Sequence, residues 1–319
     1  MMECSCDHIK SDGKMLLLSG TSNVMLSEAI AQHFSLKLGE ITIKTFNDGE
    51  LNIEIAEDII GRNVFIIQST NTPVNDNIMQ LLLLISTCKA YGANSITAII
   101  PYFGYSRQDR KMFTVSPVSA STVSNLIKSA GVNTVVTVDI HDLHIISFFA
   151  PEVFAINIDT QDFVSKEFLS LGLDNPVIVS PDAGGICRAR AFADSLNKHG
   201  LPCSDMAIII KYRTIANHVS DMTLVGDVKG RHVLIIDDII DTAGTLVMAA
   251  QKLKDQGATK IICFATHGVF SSPVIERIAS SPLDAIYITD TIYNHVECEK
   301  IKTISIVPLI AQTIATILN

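Results

Sequence analysis

"GRHVLIIDDI", residues 230–239, lies over "GRNVFIIQST", residues 61–70, when the chain is slid along itself. The match continues: "YGANSITAIIPYFG" at 91–104 lies over "QGATKIICFATHGVF" from 256, and "VVTVDI" at 135–140 over "IYITDT" at 286–291. Similarity at so long a period marks one folding unit used twice. Each copy alternates apolar strands with helix-length amphipathic segments. Leu81, Leu84, Ile85 and Cys88 recur at helical spacing after a strand at 64–68, and Met248, Ala249 and Leu253 do so after a strand at 233–236. Strand, helix, strand in order implies right-handed parallel crossovers with helices on both faces. The expectation is an α/β protein of two duplicated, doubly wound parallel-sheet domains. They span residues 1–155 and 156–319, the last helix being a candidate to pack on the N-terminal domain. No linker rich in Pro, Gly or Ser joins them, which favours a rigid pair.

Composition fits this architecture and narrows the function. Hydrophobic residues make up 48% of the 319 and charged residues 18%, and apolar runs of a few residues broken by Gly, Asn, Asp or Pro suit strands buried on both faces. Such runs are far too short to span a membrane, and no signal-like leader opens the chain, so a cytoplasmic protein is expected. Seven scattered cysteines fit reduced thiols in that compartment. Cys4, Cys6 and His8 lack a second ligand pair at suitable spacing, and a frayed terminus is the better reading. A net charge of -9 argues against a nucleic-acid or anionic-membrane surface, which needs Lys and Arg spread over a face. A polyanion must meet a local basic cluster. "GYSRQDRK" at 104–111 and "KYR" at 211–213 are the candidates, and both read as loops.

The two copies differ most after the shared strand. There the second carries "DDIIDTAGT" and the first "QSTNTPVND". In an open parallel sheet ligands gather at the carboxyl ends of strands, where the following helix presents unpaired N–H groups. Asp241, Thr242, Ala243, Gly244 and Thr245 fill that turn. Small residues let backbone wrap a phosphate, Gly244 tolerates unusual dihedrals, and the two threonine hydroxyls add donors. Asp237 and Asp238, at the strand end, accept hydrogen bonds from a vicinal diol. A phosphorylated sugar satisfies both halves. The alternatives are an ordinary helix capped by Asp241 or Thr242, and a carboxylate cluster for a metal alone. No glycine-rich loop of the G-x-x-x-x-G-K-[ST] kind occurs, so any ATP binds without one.

Other clusters also follow apolar strands. "SPDAGGICRAR" at 180–190 places Asp182 with Gly184 and Gly185 at a carboxyl end, and "TVDIHD" at 137–142 does the same for Asp139, His141 and Asp142, where His141 is either a nitrogen ligand or an ordinary polar residue. "FNDGE" at 46–50 reads first as a hairpin turn, because Asp-Gly is a strong turn signal. The cations around Arg107 and Gln108 are either a solvated surface or a phosphate contact.

Taken together, "FNDGE", "FIIQSTNTPVND", "ITAIIPYFGYSRQDRK", "TVDIH", "VSPDAGG", "KYR", "GDVKGR", "DDIIDTAGT" and "TDTI" resemble the ribose-phosphate diphosphokinase family, also called phosphoribosyl diphosphate synthetases, through nearly the whole chain. The acidic loop is shared with the wider phosphoribosyltransferase fold, whereas "YFGYSRQDRK" and "QSTNTPVND" are specific to the synthetases. The resemblance implies domains of the phosphoribosyltransferase type and transfer of a diphosphoryl group from MgATP to the C1 hydroxyl of ribose 5-phosphate, releasing AMP. It implies that Asp237 and Asp238 hold the ribose hydroxyls and Asp241 to Thr245 cradle the 5-phosphate. It places Phe46 on adenine, with Asp48 and Glu50 beside it in a hairpin that a neighbouring subunit could borrow. Arg107 and Gln108 become ATP contacts, His141 and Asp182 the Mg²⁺-binding pair, and Lys211 and Arg213 the cations of a mobile catalytic loop. A homo-oligomer, a hexamer built from dimers, is the implied assembly.

The match departs from the family pattern in places. Tyr212 stands in the middle of a usual Lys-Arg-Arg, and Phe113 and Val115 stand where two further arginines follow "RQDRK". The usual serine-rich tail is absent, since the sequence stops at Asn319. Those parts belong to a site for activating phosphate and inhibitory ADP, so weak or missing phosphate activation is expected. "FFAPEVF" at 148–154 puts Ala150 and Phe154 where carboxylates are usual, which argues against a second cation there. The competing readings are a phosphoribosyltransferase, which leaves the duplication and "SRQDRK" unexplained, and a non-catalytic regulatory paralogue, which would be expected to lose loop cations or metal residues that this chain keeps.

Overall fold

The computed structural model describes residues 14–111, 115–212, 221–294 and 296–319. The Cys4, Cys6 and His8 group, Phe113 and Arg213 lie outside the described residues. Two units emerge, one of Met1–Ile158, Thr291–Tyr293 and Val307–Asn319, the other of Asp159–Asp290 and Asn294–Ile306.

In the first unit β1 (Met15–Ser19), β4 (Asn63–Ile67), β5 (Ser95–Ile100), β6 (Thr134–Val138) and β7 (Phe154–Ile158) form a parallel sheet in that order. Alternation along these strands serves two buried faces. Leu16, Leu18, Val64, Ile66, Ile96, Ala98 and Ile100 pack with Leu81, Leu84, Ile85 and Cys88 of α2 (Val74–Ala90) and with Val123 and Ile127 of α3 (Ser119–Ala130). The alternate residues Leu17, Phe65, Ile67, Ile99 and Val136 are buried as well. α1 (Val24–His33) packs on β1 and on α8 (Val307–Leu318), which also meets β7. The helical spacing of Leu81, Leu84, Ile85 and Cys88 therefore has the physical cause expected of it.

The second unit winds outward in two directions. Its sheet runs β10 (Asp221–Val225), β9 (Met206–Tyr212), β8 (Val177–Ser180), β11 (His232–Ile240), β12 (Lys260–Gly268), β13 (Ala285–Thr289), β14 (Ile301–Ile304), parallel except for β10 against β9. Strand order reverses between β8 and β11, the switch point of a doubly wound sheet. α6 (Gly244–Asp255) and α7 (Val274–Ala279) cover one face through Leu246, Ala249, Leu253, Val274 and Ile278. α4 (Gln161–Phe168) and α5 (Ile186–Lys198) cover the other, where Phe168, Phe192, Phe264 and Tyr287 form an aromatic cluster with ring centroids 5.0 to 6.1 Å apart. Met248, read as part of the apolar stripe, is instead exposed; Leu246 and Ala250 take its place in the core.

Strand for strand, β1 and β4 to β7 of the first unit repeat β8 and β11 to β14 of the second. The strands equivalent to β9 and β10 do not join the first sheet. β2 (Ile41–Thr45) and β3 (Leu51–Ile55) form a separate antiparallel hairpin. The Gly39 N–H still reaches Leu17 C=O at 2.8 Å, and the chain then diverges. "KYR", read as a loop, begins in a strand: Lys211 and Tyr212 end β9, paired with Met222 and Asp221. The β-branched run Ile208–Ile210 carries the strand into them.

Candidate functional site

β11 outruns its neighbour β8. Pairing with β8 ends at Ile235–Val179, while pairing with β12 continues to Ile240–Gly268. Asp237 and Asp238 thus lie inside a strand rather than at its end, with β8 already finished on one side. The loop after β8 fills that side. Ser180 Oγ donates to Asp182 C=O at 2.7 Å, and Asp182 Oδ1 accepts the Gly185 N–H at 3.0 Å. A Cβ on Gly185 would lie 2.9 Å from Ser180 Oγ, so this turn closes tightly only around glycine.

Arg188, one turn into α5, reaches the acidic pair. Its Nη1 lies 3.2 Å from Asp238 Oδ1 and 3.9 Å from Asp237 Oδ1. Asp238 is buried and Asp237 half-buried, and the Asp238 N–H donates to Asp237 Oδ1 at 3.0 Å. Burial first, and then the neighbouring Asp238 carboxylate, push the Asp237 carboxyl up to about 8; Arg188 opposes this and Asp182 adds to it. Two carboxylates with one guanidinium between them form an acceptor pair that gains from donors such as sugar hydroxyls.

Beyond Ile240, residues 241–243 turn into α6. The residue at the helix start is Ala243, in the left-handed region at φ 56°, and no side chain caps the helix. The capped-helix alternative is thereby removed, and the first N–H groups of α6 point out of the loop. The unusual dihedral falls on Ala243 rather than Gly244. A Cβ on Gly244 would meet only Arg277 Nη1 at 3.5 Å and Thr242 Oγ1 at 3.9 Å, ordinary contacts. Gly244 therefore keeps open the space in front of the helix. Arg277 of α7 donates from Nη1 to Thr242 C=O at 2.9 Å, which sets a cation beside this turn. Sequence reading missed Arg188 and Arg277: the first stood in "GGICRAR" as the nearest arginine to an acidic loop, and the second had no local signal.

The equivalent loop of the first unit is sealed from within. Gln68, aligned with Asp237, donates to Gln80 Oε1 at 2.7 Å and accepts from Ser22 Oγ at 2.8 Å. Ser69 Oγ donates to Thr291 C=O at 2.6 Å, and Thr70 Oγ1 accepts the Gly104 N–H at 2.7 Å. All three side chains are fully buried. A Cβ on Gly104 would lie 2.3 Å from Thr70 C=O, so the "YFGY" turn is pressed against this loop and leaves no room for an anion.

The other first-unit candidates are arranged around loops. Phe46 to Glu50 form the tip between β2 and β3, closed by Phe46 N–H to Glu50 C=O at 2.8 Å and Glu50 N–H to Asp48 Oδ1 at 3.1 Å; Gly49 turns it at φ 95°. The tip is a hairpin turn, and it also presents the Phe46 ring 54% exposed. In the 104–111 loop Arg107 and Gln108 are exposed, and Gln108 Oε1 accepts from Ser119 Oγ at 2.6 Å, tying the loop to the start of α3. His141 is half-buried just beyond the carboxyl end of β6. Lys211 lies in β9.

An acidic strand beside an uncapped helix, at the switch point of a doubly wound sheet, with a sealed copy of the same loop in a duplicate unit, defines a protein built from two phosphoribosyltransferase-type α/β domains. Comparison with known proteins narrows this class. Residues 15–131 match the N-terminal domain of ribose phosphate pyrophosphokinase, and residues 202–319 match the phosphoribosyl synthetase-associated domain. The chain is 44% identical over 306 residues to a ribose-phosphate pyrophosphokinase of Caldanaerobacter subterraneus, covering 94% of each, and 41% identical over 303 residues to that of Helicobacter hepaticus, covering 94% of this chain and 95% of the relative. The crystal structure of phosphoribosylpyrophosphate synthetase from Mycobacterium smegmatis superposes with a TM-score of 0.89 at 32% identity, over 96% of this chain and 99% of that one. The chain belongs to the ribose-phosphate pyrophosphokinase family.

Proposed function

We propose that the protein transfers the diphosphoryl group of ATP to the C1 hydroxyl of ribose 5-phosphate, giving 5-phosphoribosyl 1-diphosphate and AMP. The observation that carries this reading is the contrast between the two copies of one loop. In the second unit Asp237 and Asp238 stand with Arg188 beside an uncapped helix start, whereas in the first the Gln68, Ser69 and Thr70 side chains are tied up by Gln80, Thr291 and Gly104.

In this reading Asp237 and Asp238 accept hydrogen bonds from the ribose hydroxyls. The 5-phosphate lies against the backbone of Asp241, Thr242, Ala243, Gly244 and Thr245, with Arg277 alongside. Phe46 stacks on the adenine with Asp48 and Glu50 nearby, and Arg107 and Gln108 meet the nucleotide. The C1 hydroxyl oxygen attacks the β-phosphorus, the bond to the α-phosphate oxygen breaks, AMP departs with that electron pair, and the hydroxyl proton passes to solvent. Charge grows on the transferring oxygens and on AMP, and Lys211 and Arg213 are the cations assigned to meet it.

Mg²⁺ is the expected cofactor. Asp182 offers hard carboxylate oxygen in a turn held by Gly185, and His141 a nitrogen beside β6, a small protein donor set that fits an ion keeping mostly water and phosphate oxygens. Bound, the ion neutralises phosphate charge. A homohexamer in the cytoplasm is the accompanying reading; among the described residues no helix is long and apolar enough to cross a membrane.

The test is AMP release from MgATP by the purified protein with and without ribose 5-phosphate, following the diphosphorylated sugar in parallel. Sugar-dependent AMP equal to product is the expected outcome. Well-folded protein that yields no AMP would overturn the proposal in favour of a non-catalytic paralogue.

A further inference from the structure

One cluster in the first unit is used by none of these assignments. His144 lies on the 3₁₀ turn Leu143–Phe148 that follows β6, with the Phe148 ring edge-on at 5.4 Å. Its Nδ1 faces Asp142 Oδ1 at 2.9 Å and Asp109 Oδ2 at 3.8 Å, and its Nε2 lies 3.2 Å from Asp109 C=O. One ligand atom from each of Asp109, Asp142 and His144 lies within 4.8 Å of the others.

Asp109 is the informative member. Its side chain is only 6% exposed, yet the nearest cationic atoms are His144 Nδ1 at 3.8 Å and Arg110 Nε at 3.9 Å. Both are beyond hydrogen-bond distance, and no hydrogen bond reaches this carboxylate among the described residues. Two ion-pair contacts this long leave room for a closer cation.

The imidazole orientation indicates what that would be. With Nε2–H donating to the Asp109 carbonyl, the Nδ1 lone pair is aimed at two carboxylates, the arrangement by which a backbone carbonyl fixes a metal-binding tautomer. A proton on Nδ1 relieves the contact with Asp142 at 2.9 Å. It does not bridge the 3.8 Å to Asp109. A divalent cation bonded at about 2.0–2.2 Å to each donor spans a gap of this size.

We propose that His144 Nδ1 and one oxygen each of Asp142 and Asp109 form a divalent-cation site of the Mn²⁺ type, one nitrogen and two carboxylate oxygens suiting a metal of intermediate hardness. Asp142 and His144 are exposed, which leaves an entry path and room for water ligands. Because Asp109 belongs to the 104–111 loop, the cation ties that loop to the segment after β6. None of the three ligands is itself assigned to the nucleotide, the sugar or the magnesium pair, although Asp109 follows Gln108 and Asp142 follows His141 in the chain.

The test is Mn²⁺ alone, with full-length protein and neither nucleotide nor sugar, counting free Mn²⁺ by electron paramagnetic resonance. Wild type should bind one ion, and His144→Gln or Asp142→Asn should weaken it by about tenfold or more. His141→Ala should keep both the affinity and the nitrogen hyperfine coupling to the bound ion. Because the His144 and Asp142 side chains are exposed, both variants should melt like wild type in chelator, which separates lost binding from lost fold. No binding by wild type at millimolar Mn²⁺, wild-type affinity in both variants, or loss of binding only with His141→Ala would each overturn the site.

Discussion

Arg188 Nη1 stands 3.2 Å from Asp238 Oδ1 and 3.9 Å from Asp237 Oδ1, so one guanidinium from α5 serves two adjacent carboxylates of β11. Asp238 is buried, and removing Arg188 takes a cation from beside this acid in a dry setting. Arg188→Ala should lower stability by about 1–3 kcal/mol, below the figure for a fully buried pair because Arg188 keeps some solvent contact. Urea unfolding checks this. The same variant should raise KM for ribose 5-phosphate, since the acceptor pair loses its orientation.

Asp237 gives a pH dependence with a definite sign. Its folded pKa, about 8, lies above the ordinary carboxylate value, so between those limits the native state holds a proton that the unfolded chain has lost. This group's contribution to stability is complete below the unfolded pKa and declines as pH rises toward 8. Asp237→Asn removes the titration. In chelator and without ligand, the stability of Asp237→Asn relative to wild type should climb from pH 5 to pH 8 in urea unfolding. A flat difference would mean that the carboxyl ionises normally.

Much of this arrangement is legible in the sequence, for identifiable reasons. The duplication was readable because both copies bury strands on two faces and so keep the same apolar runs. The loop proposed to hold the phosphate stands out because its small residues and carboxylates are contiguous. Arg188, Arg277 and His144 were not assigned, because their roles arise from contacts to Asp238, Thr242 and Asp109 across 50, 35 and 35 residues, which no local pattern encodes. The strain was assigned to Gly244 on residue type, whereas the backbone puts it on Ala243, whose methyl group still fits. "KYR" looked like a loop from its charges, but the isoleucines before it decide in favour of a strand.

Lys211 is the last but one residue of β9, where antiparallel pairing with β10 fixes its backbone. Lys211 is one of the two cations proposed to meet the charge that grows in the transition state. Lys211→Ala should lower kcat by about 10² or more, the scale of one lost transition-state donor. Near-normal turnover in a steady-state assay would remove Lys211 from the mechanism.

Val115 is 94% exposed where family members usually carry an arginine. An apolar side chain in solvent offers no charge-assisted bond to an anion. Inorganic phosphate titrated at fixed free Mg²⁺ should therefore activate weakly or not at all, and strong activation would show that other residues supply the anion site.

Gly244 separates a structural role from a functional one. An added Cβ there meets Arg277 and Thr242 at ordinary contact distances, and φ is not in the left-handed region. Gly244→Ala should therefore leave stability unchanged or raise it by about 0.4–1 kcal/mol, because alanine restricts the unfolded chain. The same methyl group projects into the space before the uncapped N–H groups of α6, where the 5-phosphate is proposed to lie. KM for ribose 5-phosphate should rise about tenfold or more, equivalent to about 1.4 kcal/mol of binding, while KM for ATP stays near wild type. Thermal melting and the two substrate titrations on one preparation check this. A stable variant with an unchanged sugar KM would place the phosphate elsewhere, and an unstable one would mean that the glycine serves the turn itself.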